Sequence, residues 1–302
     1  MPFNPVLFIG IGGMGKSILL RIRRMIVENY KSLEDLPGVR FLHVDTDQNT
    51  APDAGSNIPL EVMGQSIGFK DSERCLISRR IIDELGLGRE RVKNNPAVRQ
   101  WFDPNLALDN NFAEGAAGIR PYGRLAFHYG VDSFRDRLRT NIELATRDRN
   151  RQLTAEKLGT IPGNGFDIYI VSSLVGGTGS GTFLEVCYNT REVARNHGSN
   201  AMLTGIFTIS GAGLDQHRRA NCYAALKELE YHGTAALKEE ANHFSVTYPI
   251  DVPPLACSDP PVDLCYLISH LGEGGYRLER NQMEEAVALK LFMDFSSIIA
   301  DE

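Results

Sequence analysis

The stretch Ser172-Ser-Leu-Val-Gly176-Gly177-Thr178-Gly179-Ser180-Gly181-Thr182 decides the fold class of this 302-residue chain. It lies between an apolar run at 166–172, predicted to be a buried strand, and a helical pattern that continues to about Asn196. Backbone N–H groups at such a helix start point outward and carry partial positive charge, so they can bind an anion. Glycines let that backbone approach a ligand closely, because no Cβ stands in the way. The stretch therefore predicts a phosphate-binding loop with contacts from Gly176, Gly177, Thr178, Gly179 and Ser180.

A similar stretch near the N-terminus is Gly10-Ile-Gly-Gly-Met-Gly15-Lys16-Ser17. It follows a strand predicted at 6–9 and opens a helix predicted to continue to about Tyr30. The letters fit both the G-x-x-x-x-G-K-S formula of P-loops and the G-x-G-x-x-G fingerprint of dinucleotide-binding folds. Taken alone, they predict a phosphate site made by Gly10, Gly12, Gly13, Lys16 and Ser17. Two such helix starts in one chain predict a polyphosphate held between them.

Apolar runs alternate with helical patterns along the rest of the chain, which indicates an α/β fold: a Rossmann-like parallel sheet with helices on both faces. Further strands are predicted at 40–44, 201–209 and 262–268, and further helices at about 122–148, 215–232 and 277–299. The proline-rich stretch near 249–261 is predicted to be a surface loop. Residues from about 50 to 113, with a helix predicted at about 70–85 and the only tryptophan, Trp101, are interpreted as an insertion carried on the sheet. Residues 1–302 are thus interpreted as a single nucleotide-binding domain.

Composition and charge exclude several other classes of protein. The chain is 42% hydrophobic, enough for a packed core, and its net charge of -6 comes without any basic tract, so nucleic acid is not an expected partner. The five cysteines are scattered without a CxxC pair, which argues against a disulfide framework or a structural zinc site. The N-terminal apolar run breaks at Gly10, too early for a signal peptide or a membrane span, and a cytoplasmic location is expected.

Four stretches together resemble the tubulin/FtsZ superfamily. The 176–181 loop is similar to the signature loop of tubulins and FtsZ, and Asp45-Thr46-Asp47 resembles the Asn-Thr-Asp of FtsZ, with Asp in place of Asn. Gly115-Ala-Ala-Gly118-Ile-Arg-Pro121-Tyr-Gly123-Arg124 looks like the loop that closes on the γ-phosphate, and Asp215 with Arg219 resembles the acidic ribose contact and its basic neighbour. The resemblance covers most of residues 5–300 apart from the insertion. Lys16 departs from the FtsZ pattern and looks closer to divergent bacterial tubulin-like proteins.

The resemblance implies a guanine nucleotide, GTP or GDP, with Mg²⁺, in a filament-forming cytoskeletal protein. Gly115, Ala117 and Gly118 would then lie beside the γ-phosphate, and Asp45 and Asp47 beside Mg²⁺, water or ribose. The final helix would form the wall next to the base. On that helix Asn281 is the predicted base contact, because an amide offers both a donor and an acceptor to a purine edge.

The resemblance also implies how hydrolysis would be completed. In the family, the next subunit of a filament supplies acidic residues from a loop just after the central helix. This chain stops at Glu302, where that helix is predicted to end, and no Asn-x-Asp-x-x-Asp/Glu loop follows. We therefore expect nucleotide binding with slow or absent hydrolysis by the chain alone, no catalytic residue of its own, and self-association of the full-length protein into filaments. The 50–113 insertion is a candidate site for a protein partner, and no membrane partner is expected.

Two alternatives stay open at the level of sequence. A P-loop ATPase would use residues 10–17, with Asp45 as the acid that reaches Mg²⁺ near Ser17. It predicts that Lys16→Ala abolishes binding while Thr178→Ala matters little; the tubulin-like interpretation predicts the reverse. A dinucleotide-dependent oxidoreductase, with Asp45 on a ribose, would leave the second glycine loop without a role.

Overall fold

The structure is a computed structural model and describes residues 2–49, 58–108, 112, 114–209, 215–248, 252–272 and 275–296. The strands are β1 (Val6–Ile11), β2 (Val39–Asp45), β3 (Glu61–Val62), β4 (Gln65–Ser66), β5 (Arg74–Leu76), β6 (Phe166–Ser173), β7 (Ala201–Ile209), β8 (Phe244–Val246), β9 (Leu255–Cys257) and β10 (Leu264–Ser269). The α-helices are α1 (Gly12–Tyr30), α2 (Arg79–Leu87), α3 (Arg89–Lys93), α4 (Pro96–Arg99), α5 (Arg120–Thr146), α6 (Asp148–Lys157), α7 (Gly177–Asn196), α8 (Gln216–Leu237) and α9 (Arg280–Ser296).

Six strands form one parallel sheet in the order β10-β7-β6-β1-β2-β5. β1 lies between β2 and β6, and its last residue, Ile11, is in register with Ser172 of β6. The loops that leave β1 and β6 therefore begin side by side at the carboxyl edge of the sheet, where ligands bind in open parallel sheets. The predicted α/β class with a parallel sheet is confirmed.

Helices cover both faces of this sheet because successive side chains of a strand point to opposite faces. Leu7, Ile9 and Ile11 of β1 are buried in one core together with α5 and α7. Val6 and Phe8 are buried in a second core together with α1 and α9. The two cores place the starts of α1 and α7 on opposite faces of neighbouring strands, so that the helices flank the same edge of the sheet.

The insertion takes part in the sheet, which corrects its description as a segment merely carried on it. The helix predicted at about 70–85 is instead a 3₁₀ turn at Asp71–Glu73, the edge strand β5 and the helix α2. β5 pairs with β2, and Cys75 of β5 is buried. A three-residue strand is too short to show its own periodicity, and its pairing partner lies far away in sequence.

A buried arginine of α1 holds the same segment in place. The Nε and Nη2 atoms of Arg23 donate to the carbonyls of Ile67 (2.7 Å) and Gly68 (2.8 Å), and Nη1 lies 3.0 Å from a carboxylate oxygen of Glu73. The guanidinium also packs between the rings of Phe41 and Phe69, 5.0 and 5.1 Å from their centroids. Residues 67–73 are thus attached to α1 by a buried cation.

The proline-rich stretch is not only a loop. Residues 255–257 form β9, which pairs antiparallel with β8, because the flanking prolines leave these three residues able to donate their N–H groups. Residues 249–251 lie outside the described part of the chain. The remaining predicted elements are found close to their predicted bounds; α6 was not predicted, and α8 continues to Leu237 rather than His232. Residues 297–299 of the last predicted helix lie outside the described residues.

Candidate nucleotide-binding site

The starts of α1 and α7 lie against each other, as the two glycine-rich stretches suggest. Gly12 opens α1 with a φ of +67°, a value that favours glycine, and a Cβ added there would lie 3.6 Å from the Cβ of Thr178 and 3.7 Å from the nitrogen of Gly179. Thr178 and Gly179 belong to the first turn of α7. The first turns of the two helices are therefore neighbours at one end of the sheet.

A cleft of about 660 Å³ opens at this junction. Such a volume is typical of sites for small molecules and cofactors. The cleft is lined by residues 11–14 of the first loop and 176–179 of the second, by Gly118, by Ser173, Val175, Thr208 and Ile209 near the ends of β6 and β7, by Arg218 and His270, and by 277–280 and Met283 at the start of α9.

The electrostatics of the cleft favour an anion. Neither Ile11, the N-cap residue of α1, nor Gly176, the N-cap residue of α7, caps its helix with a side chain, and the first turns carry no acidic residue. The first-turn N–H groups, which have no partner within the helix, thus face the cleft with the positive end of each helix dipole. Three arginines, Arg218, Arg277 and Arg280, line the same space against one acidic residue of the described lining, Glu279.

The second loop is glycine-rich for two different reasons. A Cβ on Gly177 would lie 2.7 Å from the nitrogen of Ile119 and 2.9 Å from the carbonyl carbon of Gly118, so this glycine lets α7 contact the loop before α5. A Cβ on Gly179 would collide with the carbonyl of Ser173. Gly176, in contrast, has open space where its Cβ would be. At position 176 a side chain would therefore enter the cleft without meeting protein atoms.

Thr208 is a lining residue that sequence reasoning missed. It is buried near the end of β7, and its Oγ1 has no hydrogen-bond partner among the described residues. A buried hydroxyl without a partner costs free energy unless a ligand or water bonds to it. Thr208 thus lines the cleft with a buried hydroxyl directly behind its surface, and a single threonine near a strand end gives no signal in sequence.

Asp45 is buried outside the cleft lining, and its carboxylate is bonded to neighbouring residues. Its Oδ1 accepts the N–H of Thr46 (2.8 Å) and of Asp47 (3.3 Å), and the hydroxyl of Thr178 donates to it at 3.4 Å. Burial alone would raise the pKa of Asp45, but His43, 3.3 Å away, and these backbone donors lower the pKa overall. Thr46 and Thr178 also share a hydrogen bond of 2.7 Å between their hydroxyls. The Asp-Thr-Asp stretch therefore fastens the end of β2 to the start of α7.

The predicted γ-phosphate loop lies next to Asp47 and next to the start of α7. Gly115, Ala117 and Gly118 have φ values of +97°, +50° and +75°, so the loop turns through the left-handed region three times. A Cβ on Gly115 would lie 3.5 Å from the Cβ of Asp47. Of the three predicted residues, Gly118 lines the cleft, while Gly115 packs behind it beside Asp47.

Lys16 and Ser17 lie outside the cleft lining, contrary to the prediction. The Ser17 hydroxyl donates to Oε2 of Glu284 on α9 at 2.7 Å and accepts from Nη1 of Arg21 at 2.9 Å. Lys16 is buried, with 3% of its surface exposed. A P-loop needs these side chains on phosphate and Mg²⁺. Here the Ser17 hydroxyl instead bonds to Glu284 where α9 packs on α1.

Asn281 is likewise placed outside the cleft. Its Oδ1 accepts from Nη2 of Arg21 at 3.3 Å, and it lines a separate hollow with Arg21 and Gln282. Residues of one helix turn point in different directions, about 100° apart per residue. The α9 side chains that do line the cleft are Arg280 and Met283, together with 277–279 just before the helix.

Neither residue of the predicted ribose contact lines the cleft. Asp215 caps α8 by accepting the N–H of Arg218 at 2.8 Å, and neither Asp215 nor Arg219 is among the residues that line the cleft. Arg218, which lies 3.6 Å from a carboxylate oxygen of Asp215, lines it instead. The acid–base pair at the start of α8 therefore exists, but with Arg218 as its basic partner.

The chain has two glycine-rich helix starts around one cleft on a parallel α/β sheet. Comparison with known proteins agrees with this arrangement. The sequence model of a family described as "Tubulin like" matches residues 7–302. The chain belongs to the tubulin-like family. No curated protein sequence matches this tubulin-like chain.

Solved structures of other tubulin-like proteins share the fold. CetZ from Methanosaeta thermophila strain DSM 6194 is 14% identical with a TM-score of 0.50, and the match covers 99% of this chain and 56% of that one. CetZ1 from Haloferax volcanii, a GDP-bound monomer, is 13% identical with a TM-score of 0.53, and the match covers 99% of this chain and 61% of that one. The tubulin-like chain thus spans less than two thirds of the length of either relative, and at these identities the likeness concerns the fold.

Two other kinds of site are absent from the described residues of the tubulin-like chain. Among the described residues, no three His, Cys, Asp or Glu side chains are placed to hold a metal ion together. Within the same ranges, every helix is too short or too polar to cross a lipid bilayer.

Proposed function

We propose that this chain binds GTP or GDP in the cleft between its two glycine loops, as the nucleotide-binding part of a filament-forming cytoskeletal protein. The observation that carries the proposal is the pair of helix starts without side-chain caps, Gly12 of α1 and Gly177 of α7, which meet at one cleft. Backbone donors held in this way bind phosphate without reorganising. Mg²⁺ would accompany the phosphates, since proteins hold it with few carboxylates plus the phosphate oxygens of the ligand.

The orientation of the nucleotide follows from the walls of the cleft. The base would lie against the start of α9, beside the apolar side chains of Leu278 and Met283, because the resemblance to the tubulin/FtsZ superfamily makes this helix the wall next to the base. The phosphates would then extend along the first turns of α1 and α7 toward Gly118. The guanine preference is supported by family membership and by the GDP-bound state of the related CetZ1.

Hydrolysis and assembly form the second part of the proposal. Glu279 is the one carboxylate in the described cleft lining, and it lies at the base side rather than near the phosphate end. General-base activation of water requires an acceptor within hydrogen-bond reach of the attacking water. We therefore assign that acceptor to a second subunit, so that GTP hydrolysis would depend on self-association.

The binding proposal is tested by filling the anion position with a side chain. Gly176 has an extended backbone (φ -81°, ψ 165°) and open space at its Cβ position. Aspartate is a favoured N-cap residue, so Gly176→Asp should fold normally while its carboxylate occupies the N–H groups of α7. We expect GTP affinity to fall at least tenfold. Gly86→Asp, in α2 with open space at its Cβ, is the matched control and should bind within twofold of wild type.

The identity of the nucleotide is tested on the purified protein. Nucleotide released by heat and identified by mass should be GTP or GDP. An adenine nucleotide or a dinucleotide would refute the guanine assignment, and unchanged GTP binding by Gly176→Asp would refute the location of the site. Phosphate release per chain should rise with protein concentration; a rate independent of concentration would refute the dependence on assembly.

A further inference from the structure

Asn221 connects two walls of the cleft from a third element. It lies on α8, is 9% exposed, and its amide nitrogen Nδ2 donates to the carbonyl of Gly118 at 2.8 Å and to the carbonyl of Val175 at 3.1 Å. Gly118 belongs to the loop before α5, and Val175 to the loop before α7. Both residues line the cleft.

Asparagine is suited to this position because of its donors. The side-chain NH₂ carries two N–H groups in one plane, so it can satisfy two carbonyls at once. The same two loops are also in backbone contact, since a Cβ on Gly177 would lie 2.9 Å from the carbonyl carbon of Gly118. Asn221 therefore fixes the spacing where Gly118 of the 115–118 loop meets the start of α7.

The 115–118 loop needs such a tie. Ala117 and Gly118 have positive φ, at +50° and +75°, and the left-handed conformation of a non-glycine residue persists only where its surroundings hold it. The N–H of Ile119 donates to the carbonyl of Ala116 at 2.8 Å, which closes the turn but does not attach it to the second glycine loop. The side chain of Asn221 supplies that attachment.

The position of this loop relative to the ligand follows from its neighbours. Along the first turn of α7, Gly12 of the first loop lies near Thr178 and Gly179, whereas Gly118 lies near Gly177. The start of α9, the proposed base wall, belongs to the helix that docks on α1 through Ser17 and Glu284. A nucleotide with its base at α9 therefore presents its terminal phosphate, and not its inner ones, to the 115–118 loop.

We propose that Asn221 is a positioning residue that holds the 115–118 loop ready for the terminal phosphate and so sets the preference for a triphosphate over a diphosphate. The inference rests on the proposed function of the cleft. A loop that is already ordered costs no ordering free energy on binding, and a ligand that reaches the loop gains from this. The binding free energy of a diphosphate, which does not reach the loop, is not changed by the order of the loop.

The test compares GDP with GTPγS on the purified full chain. We expect Asn221→Ala to weaken GTPγS binding about tenfold and to leave GDP binding within twofold. The ratio of the dissociation constant for GDP to that for GTPγS therefore falls. Asn221→Asp should lower the ratio further, because a carboxylate would face two carbonyl oxygens beside the terminal phosphate. Tyr223→Ala, on the same helix and 68% exposed, is the control and should keep the wild-type ratio.

Equal weakening of both nucleotides, an unchanged ratio in both variants, or a wild-type ratio near one overturns the inference. If the wild-type chain binds neither nucleotide, the proposed function fails, and the tie itself is then tested separately by hydrogen exchange without nucleotide. The amide of Ile119 should exchange faster in Asn221→Ala than in wild type and in Tyr223→Ala. Unchanged exchange at that amide overturns the inference whatever the nucleotide data show.

Discussion

The two glycine-rich loops look alike in sequence but are attached to the molecule by different parts of their residues. In the first loop, Gly15 packs α1 onto its own strand, since a Cβ there would lie 2.5 Å from the carbonyl carbon of Gly10, and Ser17 bonds to α9. In the second loop, Gly177 packs α7 onto the loop before α5, and Thr178 bonds to Thr46 at the end of β2.

The two loops therefore share only their backbone role. In both, the start of the helix lines the cleft, while Ser17 and Thr178 bond to neighbouring elements of the protein. A motif such as Gly-Lys-Ser therefore reports a helix start that can bind an anion, but not which side chain touches the phosphate. Each prediction below either separates the two attachments or removes one of them.

The largest effect is expected at the attachment of the first loop. Glu284 is buried and binds Ser17, Arg21 (3.0 Å) and Arg280 (2.7 Å). Glu284→Ala leaves the buried guanidinium of Arg21 without this partner, and such losses cost about 3–5 kcal/mol of the free energy of unfolding. Urea denaturation measures the change. Glu285→Ala, at a side chain that is 41% exposed, should cost under about 1 kcal/mol; equal losses in the two variants would contradict the role of Glu284.

The next effect concerns the packing of the second loop. Gly179→Ala places a Cβ against the carbonyl of Ser173 and the hydroxyl of Ser172, and overpacking of this kind costs about 3 kcal/mol. The matched control is Gly176→Ala, three residues earlier, where the Cβ would have open space. Thermal unfolding should show a clear loss for the first variant and almost none for the second. Similar melting temperatures would mean that α7 can shift away from β6 at little cost.

A pH effect is expected at His128, which is buried on α5. Burial, with a smaller contribution from Arg124, lowers the pKa of His128 on α5 to about 4, against about 6.5 in an unfolded chain. The neutral ring is thus favoured by folding, so its contribution is complete above about pH 6.5 and is lost as the pH falls toward 4. Between pH 7 and pH 5 the loss is about 2 kcal/mol of the free energy of unfolding.

The variant that isolates this effect is His128→Phe. The ring of His128 packs against Trp101, Tyr129 and Tyr248 at centroid distances of 5.7, 5.6 and 5.7 Å, so a phenyl ring suits the site. The difference in stability between pH 7 and pH 5 should be about 2 kcal/mol smaller in the variant than in wild type. Parallel pH profiles of the two proteins would contradict the buried neutral histidine.

The smallest effect is expected at the lysine of the first loop. Lys16 is buried and lies outside the cleft lining, so Lys16→Met, which keeps most of the side-chain volume, should change GTP affinity by less than about twofold, or under about 0.5 kcal/mol. Titration with labelled GTP measures this directly. A loss of a hundredfold or more would restore the P-loop interpretation of residues 10–17.

Much of the fold could be predicted because its signals are local. Apolar runs gave the strands at 6–9, 166–172 and 201–209, and the glycine clusters located the helix starts that follow two of them. β5 could not be predicted, since three residues show no periodicity and their burial depends on pairing with β2, thirty residues away along the chain.

The site was predictable to the level of the backbone and no further. Which side chains of a helix turn lie toward a cleft depends on how distant elements dock. Where α9 packs on α1, Ser17 bonds to Glu284 and Asn281 bonds to Arg21. Asp215 caps α8, and Arg218 rather than Arg219 lies in the lining. Thr208 and Asn221 carry no motif at all, because a hydroxyl or an amide acquires its role only from the carbonyls and loops that the fold brings to it.

The strand that the insertion contributes, β5, has a consequence for anyone who shortens or engineers this chain. β5 is the last strand on its side of the sheet, and it covers the hydrogen-bonding groups of β2 at His43 and Asp45. Deleting residues 58–78 would expose those groups, and bare strand edges template association between molecules. Trimming beyond β5 is expected to cost stability as well, because Ile81, Val92 and Val98 are buried in the same core as α5.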